Sequence, residues 1–167
     1  SFINLLVQEK NKLNYDDIYN NSVSILIEEN IGWLQNELKQ SDYIIYNFSH
    51  GDFTQWNNFS DSKKLFIFDW EMGDYRTPLW DYFNFVYHST FRVYDFKENV
   101  LKDLLNENLD WALSIAGDTN KYNIYHKVFL IEITLHYINQ YQILKNYEVN
   151  SSVDKLIIEF LKYLKLK

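Results

Sequence analysis

Glycine and proline constrain this chain most, because they are nearly absent from it. The 167 residues include four Gly and one Pro. These residue types interrupt helices and strands and form turns, so a chain with so few of them must consist mainly of long elements. Hydrophobic residues make up 47% of the sequence and aromatic residues 19%. That is enough apolar material to build a sizeable core, which disordered chains lack.

Charge, cysteine content and apolar run lengths restrict the class of protein. The formal net charge is −7, and there is no cysteine. An acidic chain is a poor match for nucleic acid, and without cysteine there is neither a disulfide nor a thiolate metal site. No apolar run reaches the roughly 20 residues needed to cross a bilayer, and the start lacks a signal-peptide pattern. We expect a cytoplasmic single domain over residues 1–167, with no nucleic-acid or membrane partner.

Apolar periodicity predicts a largely helical chain. The predicted helices span residues 15–38, 78–91, 96–115 and 122–147, with a last one starting at Ser151 or Ser152. Asn14 is a suitable cap for the first helix, Pro78 for the first turn of the second, and Gly117 for the end of the third. The fourth is apolar nearly all round, so it should be buried.

Two short β-prone runs, residues 43–48 and 65–68, flank a polar loop and predict a small hairpin. The segment between this hairpin and Pro78, "MGDYRTP", is expected to be irregular. The sequence therefore predicts a mostly helical α+β fold in which one small β hairpin carries a functional loop.

That loop reads "HGDFTQWNN", and it carries oxygen ligands at a meaningful spacing. Asp52 is followed by four residues and then Asn57, and Asp69 comes twelve positions later at the end of the second β-prone run. Protein kinases use an Asp-x-x-x-x-Asn loop followed by a second Asp, in which the first carboxylate orients the acceptor hydroxyl and the other two residues hold Mg²⁺. Hard oxygen ligands of this kind suit Mg²⁺.

Together with "FIFDWE" and "PLWDYFNF", this loop resembles the aminoglycoside phosphotransferase and choline kinase-like family of small-molecule kinases. The resemblance covers residues 43–88. It implies the helical C-terminal lobe of a protein-kinase-like fold, in which Asp52 is the catalytic base and Asn57 and Asp69 bind Mg²⁺. It also implies that Asp81, just after Pro78, braces the catalytic loop.

Two departures from the family pattern matter. The family often has Pro two residues before the metal-binding Asn, where this chain has Gln55. The family also has an N-terminal lobe with a Gly-rich loop and a strand lysine, whereas the four glycines here are scattered. We therefore expect a fragment that is inactive by itself and lacks the N-terminal nucleotide-binding lobe.

Several residues have a simpler structural interpretation beside the functional one. Asp52, Asn57 and Asp69 could be ordinary turn residues, although their joint spacing argues against this. His50 suits hydrogen bonding within the loop better than metal binding. Glu71 could support the metal site indirectly or be solvated. Asp81 could simply favour a helix N-terminus.

Histidines and aromatic residues outside the loop are less informative. His88, His126 and His136 are interpreted as packing or surface residues. Five residues could line an acceptor pocket through their aromatic faces or charge, although core packing is the simpler role for each aromatic ring: Trp80, Tyr82, Tyr87, Asp110 and Trp111.

The resulting prediction is a phosphotransferase that moves the γ-phosphoryl group of ATP or GTP to a hydroxyl of a small polar acceptor, with Mg²⁺ as cofactor. The acceptor class stays open among aminoglycosides, choline, sugars and amino sugars, and the oligomeric state is not predicted. An alternative from another class is a non-catalytic pseudokinase or ligand-binding module with the same fold. A third is a structural helical domain with a coincidental motif, which predicts no Mg²⁺-dependent ligand.

Overall fold

The computed structural model describes residues 2–12, 21–40, 44–95, 97–144 and 151–165. The helices in this part of the chain are α1 (Phe2–Lys12), α2 (Asn21–Gln40), α3 (Trp80–Tyr94), α4 (Glu98–Glu107), α5 (Leu109–Ala116), α6 (Thr119–Leu144) and α7 (Ser151–Lys165). The strands are β1 (Asn47–Ser49), β2 (Asn58–Ser60), β3 (Leu65–Ile67) and β4 (Asp74–Arg76), and a 3-10 turn spans Trp70–Met72. The prediction of a mostly helical α+β fold is confirmed. No helix among these ranges is long and apolar enough to cross a membrane.

The chain divides into two compact units. One contains residues 1–43 and 127–167, and the other contains residues 44–126. The single-domain prediction therefore stays a prediction. All four strands and the motif loops belong to the second unit.

The first unit is a helical body made of α1, α2, α7 and most of α6. Its core is built from fully buried apolar side chains: Ile27, Leu34, Val128, Phe129, Ile131, Ile138, Ile157 and Phe160. Phe160 of α7 meets Phe129 edge-on and stacks on Tyr137, both on α6. The prediction that the fourth helix is buried is confirmed for its apolar positions from Ile124 to Ile138, whereas Ile143 near its end is 61% exposed. Its predicted end at 145–147 lies outside the described residues, as do Asn14 and the side chains of Ser151 and Ser152.

The second unit contains two separate antiparallel ladders instead of one hairpin. β1 pairs with β4, with Phe48 opposite Tyr75, and β2 pairs with β3, with Phe59 opposite Phe66. The predicted pairing of run 43–48 with run 65–68 is therefore wrong, and the segment expected to be irregular supplies β4. Which strands pair depends on contacts between segments that are distant in sequence, and local β propensity does not predict those contacts.

Two helix boundaries also differ from the prediction. Leu79 has a left-handed backbone, with φ of +69°, so α3 cannot begin before Trp80 although Pro78 was expected to open it. The predicted helix 96–115 is broken at Asn108, whose φ and ψ of −109° and 9° are not helical. The Asn108 amide donates to the Leu104 carbonyl at 3.0 Å, an alternative that Asn side chains offer the backbone in place of helix continuation. Gly117 ends α5 at φ +98°, as predicted.

A half-buried phenol makes the stability of the second unit sensitive to alkaline pH. Tyr82 of α3 donates to the Leu105 carbonyl of α4 at 3.4 Å, and burial raises its pKa above the ordinary value, with a smaller contribution from Tyr122. Above about pH 10 the unfolded chain loses the Tyr82 proton while the folded chain keeps it, so the free energy of unfolding falls as pH rises. We expect Tyr82→Phe to reduce this fall, measured by urea unfolding between pH 8 and 11. The exposed Tyr94→Phe variant is the control, and equal pH dependence in all three proteins would contradict the prediction.

Candidate active site

A β-turn gives the motif loop its shape. The Asn57 N–H donates to the Thr54 carbonyl at 3.1 Å, and the Asn58 side chain donates to the same carbonyl at 2.5 Å. Gln55 occupies the second position of this turn, where proline is favoured because its φ is already set. The turn therefore forms without the proline that the family pattern often has, because Asn58 adds a second bond to its first carbonyl.

Asn57 and Asp52 are joined through one amide group. Asn57 Nδ2 donates to the Asp52 backbone oxygen and to Asp52 Oδ2, both at 2.9 Å. A backbone carbonyl can only accept, so the amide must present its nitrogen to Asp52. Its Oδ1 therefore points the other way, and no hydrogen bond reaches that oxygen from the residues that the structure describes. Both side chains are half-buried, so their outer oxygens can meet a ligand.

His50 connects the motif loop to the end of β3. Its Nε2 lies 2.6 Å from the Phe68 carbonyl, and its Nδ1 accepts the Asp52 N–H at 3.3 Å. Because a carbonyl cannot donate, these partners require the neutral tautomer with hydrogen on Nε2. The ring is buried, with 2% of its surface exposed, and it packs 4.7 Å from the Trp70 ring. These contacts tie the motif loop to the end of β3, and the supporting role of His50 in a site stays a prediction.

Asp69 directly follows Phe68, whose backbone is hydrogen-bonded to the motif loop. Phe68 donates its N–H to the Asn57 carbonyl at 2.9 Å, so the backbones of Asn57 and of the residue before Asp69 are adjacent. Asp69 is exposed, and its backbone is left-handed, with φ of 62° and ψ of 61°. Asp tolerates this conformation better than most residues. Such outliers cluster at functional sites.

Asp81, in the first turn of α3, accepts two backbone hydrogens of the motif loop. Its Oδ2 accepts the His50 N–H at 2.8 Å, and its Oδ1 accepts the Gly51 N–H at 2.9 Å. One carboxylate thus satisfies two successive peptide groups immediately before Asp52. Charged acceptors make the stronger hydrogen bonds, so these contacts hold the loop against α3.

The predicted metal site has few protein ligands, and its predicted supporting residue is Glu71. Glu71 lies exposed in the 3-10 turn, and its supporting role stays a prediction. Across the ranges that the structure describes, no three His, Cys, Asp or Glu residues form a group that could hold a metal. The predicted pair Asn57 and Asp69 is a sparser set of one amide and one carboxylate. Mg²⁺ sites of that kind rely on substrate phosphates and water for their other ligands.

The candidate acceptor residues divide by burial. Trp80 and Tyr87 are buried, with 3% and 1% exposed, which fits packing rather than an open pocket. Trp111 is 53% exposed and meets Tyr82 edge-on at 5.4 Å, and Asp110 is exposed.

The histidines outside the loop also contact protein side chains. His126 stacks on Phe83 at 4.6 Å and bonds the Tyr87 hydroxyl at 2.8 Å. His88 is buried, and His136 meets the Tyr137 ring. Their interpretation as packing or surface residues fits these contacts.

Two residues that contact the motif loop were not recognised as loop contacts from the sequence. Trp80 Nε1 donates to the Gly51 carbonyl at 3.3 Å, and Asn84 Nδ2 donates to the Phe53 carbonyl at 3.4 Å. A usable signal did exist, because Asn84 follows Asp81 by three residues and residues at that spacing share one face of a helix.

Comparison with known proteins gives one structural likeness. No family model and no curated protein matches the chain. The chain is similar to a solved kinase. That structure is amicoumacin kinase hAmiN in complex with AMP-PNP, Ca²⁺ and Ami, with a TM-score of 0.47 and 16% sequence identity over 90% of this chain. The chain spans about half of that kinase, covering 48% of its length.

Proposed function

We propose that this chain is the C-terminal, catalytic lobe of a small-molecule phosphotransferase, one that transfers the γ-phosphoryl group of ATP or GTP to a hydroxyl of a small polar acceptor. The observation that carries this proposal is the orientation of the Asn57 amide. Both of its donated bonds go to Asp52, so its oxygen is directed away from Asp52 as a cation ligand. Asn side chains in turns commonly bond nearby backbone groups, so the bond to the Asp52 carboxylate is the one that a turn alone does not account for.

Asp52 has the surroundings that a base for the acceptor hydroxyl requires. Asn57 binds one carboxylate oxygen, Oδ2, and the side chain is half-buried. In the proposed reaction the acceptor oxygen forms a bond to the γ-phosphorus as the bond from that phosphorus to the bridging oxygen breaks. The electron pair of the broken bond leaves with the nucleoside diphosphate, and the hydroxyl proton passes to Asp52. Positioning and charge stabilisation supply most of the catalysis in such reactions.

The residues present fit a hard divalent cation. Asn57 Oδ1 and the Asp69 carboxylate are the oxygen ligands that Mg²⁺ prefers, and the backbone bond from Phe68 to Asn57 keeps their segments adjacent. Held by Asn57 and Asp69 together with the nucleotide, Mg²⁺ would neutralise negative charge that develops during transfer.

Calorimetry with Mg·ATP and Mg·GTP tests the metal part of this proposal. We expect the full-length protein to bind at least one of them. Asp69→Ala should weaken that binding by at least roughly tenfold to a hundredfold, because losing even an outer partner of a metal ligand costs that much and this change removes one of two protein ligands. Asp103→Ala, which removes an exposed carboxylate on α4, is the matched control and should bind normally.

The same measurement on this chain alone shows whether residues 1–167 bind nucleotide without the rest of the protein. Binding by the full-length protein but not by this chain is expected if an N-terminal lobe supplies most nucleotide contacts. Equal binding by the full-length protein and its Asp69→Ala variant would contradict the metal site. Binding without phosphoryl transfer to any hydroxyl acceptor would favour the pseudokinase or binding-module alternative.

A further inference from the structure

The first two turns of α3 contact the motif loop at more points than Asp81 provides. We propose that Trp80 and Asn84 are positioning residues that set the direction of the Asp52 side chain. This inference rests on the proposed function, since it assigns these residues a part in the same reaction.

Trp80 fixes the peptide group that leads into Asp52. The Gly51 carbonyl and the Asp52 N–H belong to one planar peptide. Trp80 Nε1 donates to that carbonyl at 3.3 Å, and the N–H donates to His50 Nδ1 at 3.3 Å. With both polar ends bonded, the plane cannot rotate without breaking a bond. The direction in which the Asp52 side chain leaves the backbone is set accordingly.

The indole itself is held in place. Trp80 is 3% exposed, and the Arg76 guanidinium lies 4.4 Å from its ring centroid, within the range of a cation–π contact. Leu79, immediately before it, is buried in a left-handed conformation that is unfavourable for a branched residue. Such a conformation persists only where the surroundings determine it strongly. The start of α3 is therefore a fixed support for the loop.

Asn84 acts on the other side of Asp52. It lies one helical turn after Asp81 and donates to the Phe53 carbonyl at 3.4 Å. Only 1% of its surface is exposed, and a polar side chain so deeply buried needs a hydrogen-bond partner. The Phe53 carbonyl supplies one and belongs to the residue that follows Asp52.

The three α3 side chains differ in whether they accept or donate hydrogen bonds. Asp81 accepts the two N–H groups before Asp52, while Trp80 and Asn84 donate to the carbonyls on either side of it. The bonds that Trp80 and Asn84 give to the loop end on main-chain carbonyls, while the Asp52 carboxylate accepts from Asn57. Misplacing a catalytic group by about 1 Å can cost roughly a hundredfold in rate, so loss of either donor should lower kcat.

The test uses Trp80→Phe and Asn84→Asp in the full-length protein. Phe keeps most of the ring but removes the donor, and Asp keeps the shape of Asn while replacing its NH₂ group by an acceptor. Trp33→Phe, in the unit of residues 1–43 and 127–167, and Asn123→Asp, on the exposed face of α6, are the matched controls. Two quantities are measured: hydrogen exchange at the Gly51, Asp52 and Phe53 amides without nucleotide, and the steady-state release of phosphate from Mg·ATP with water as acceptor.

We expect both variants to raise exchange at the Asp52 amide about tenfold and to lower kcat by about tenfold to a hundredfold with little change in the KM for Mg·ATP. Amides of α7 should exchange as before, and both controls should match the unsubstituted protein. If exchange at Asp52 rises while kcat is unchanged, or if neither quantity changes, the positioning role is overturned. If Trp80→Phe raises exchange throughout the chain, the isosteric Asn84→Asp variant decides by the same criteria.

Failure of the proposed function has a different signature. An unsubstituted full-length protein that releases no phosphate and phosphorylates no hydroxyl would overturn the phosphotransferase, and with it the catalytic part of this inference. The exchange data would then still test whether Trp80 and Asn84 hold the loop, because they require neither nucleotide nor turnover.

Discussion

Replacing Asp52 by Asn in the full-length protein is expected to lower kcat by a factor of roughly 10² to 10⁴, the usual contribution of a general base. The variant can keep the local fold, because an Asn carbonyl oxygen can still accept the bond that Asn57 Nδ2 now gives to Asp52 Oδ2. What it loses is the ability to take a proton from the acceptor hydroxyl. The KM for Mg·ATP should change little. The rates are measured with the best hydroxyl acceptor from a screen of amino sugars, sugars and choline-like alcohols.

Asp61→Asn is the matched control for this experiment. Asp61 is an exposed carboxylate in the turn between β2 and β3, and its Oδ1 accepts the N–H groups of Lys63 and Lys64. An amide oxygen can preserve those bonds, so this variant should have the kcat of the unsubstituted protein. An Asp52→Asn protein with unchanged kcat would remove Asp52 from the role of base.

Replacing Gly51 by Ala is expected to damage both stability and activity. Gly51 has φ of +85°, and a Cβ atom there would lie 2.1 Å from the Met72 carbonyl oxygen. The left-handed backbone and the forced displacement together should lower the free energy of unfolding by about 2–5 kcal/mol. Because Met72 ends the 3-10 turn that follows Asp69, displacing it also disturbs the proposed metal loop. Urea unfolding measures the first effect and Mg·ATP binding the second.

Gly117→Ala isolates the backbone part of that effect. Gly117 also has a positive φ, +98°, but a Cβ atom there would meet nothing within 4 Å. It should therefore lose only about 1–2 kcal/mol, the cost of the left-handed conformation, and bind Mg·ATP normally. Equal destabilisation by both substitutions would mean that the contact between Gly51 and Met72 does not restrict the loop.

The fold could be predicted where local sequence carries the information. Scarce glycine and apolar periodicity indicated a mostly helical chain, and Gly117 marked the end of α5. The strand partners could not be predicted in the same way. β4 lies in a segment rich in turn residues, and it pairs with a strand about 27 positions earlier in the chain, with Phe48 opposite Tyr75. The break at Asn108 was missed because its cause is a side-chain bond to Leu104, which periodicity does not register.

Some residues of the candidate site could also be predicted from the sequence, and others could not. Spacing alone grouped Asp52, Asn57 and Asp69, and the backbone bond between Phe68 and Asn57 brings their segments together. The resemblance suggested Asp81, and it contacts the loop by two hydrogen bonds. Trp80 and Asn84 were missed because each bonds a backbone carbonyl. Every residue type has that carbonyl, so the sequence does not show which residue accepts the bond. The chemical roles of these residues stay predictions.

Because α3 holds the motif loop by hydrogen bonds to main-chain atoms, substitutions along the loop should differ in how much they disturb it. These hydrogen bonds end at backbone atoms of residues 50, 51 and 53. Gln55 and Trp56 form the tip of the turn, where Trp56 is 50% exposed and its ring centroid lies 5.4 Å from the Arg92 guanidinium of α3. A substitution at Gln55 can therefore leave all of these hydrogen bonds intact. We expect related sequences to vary more at position 55 than at Trp80, Asp81 or Asn84, because a change at 55 removes none of the bonds that hold the loop to α3.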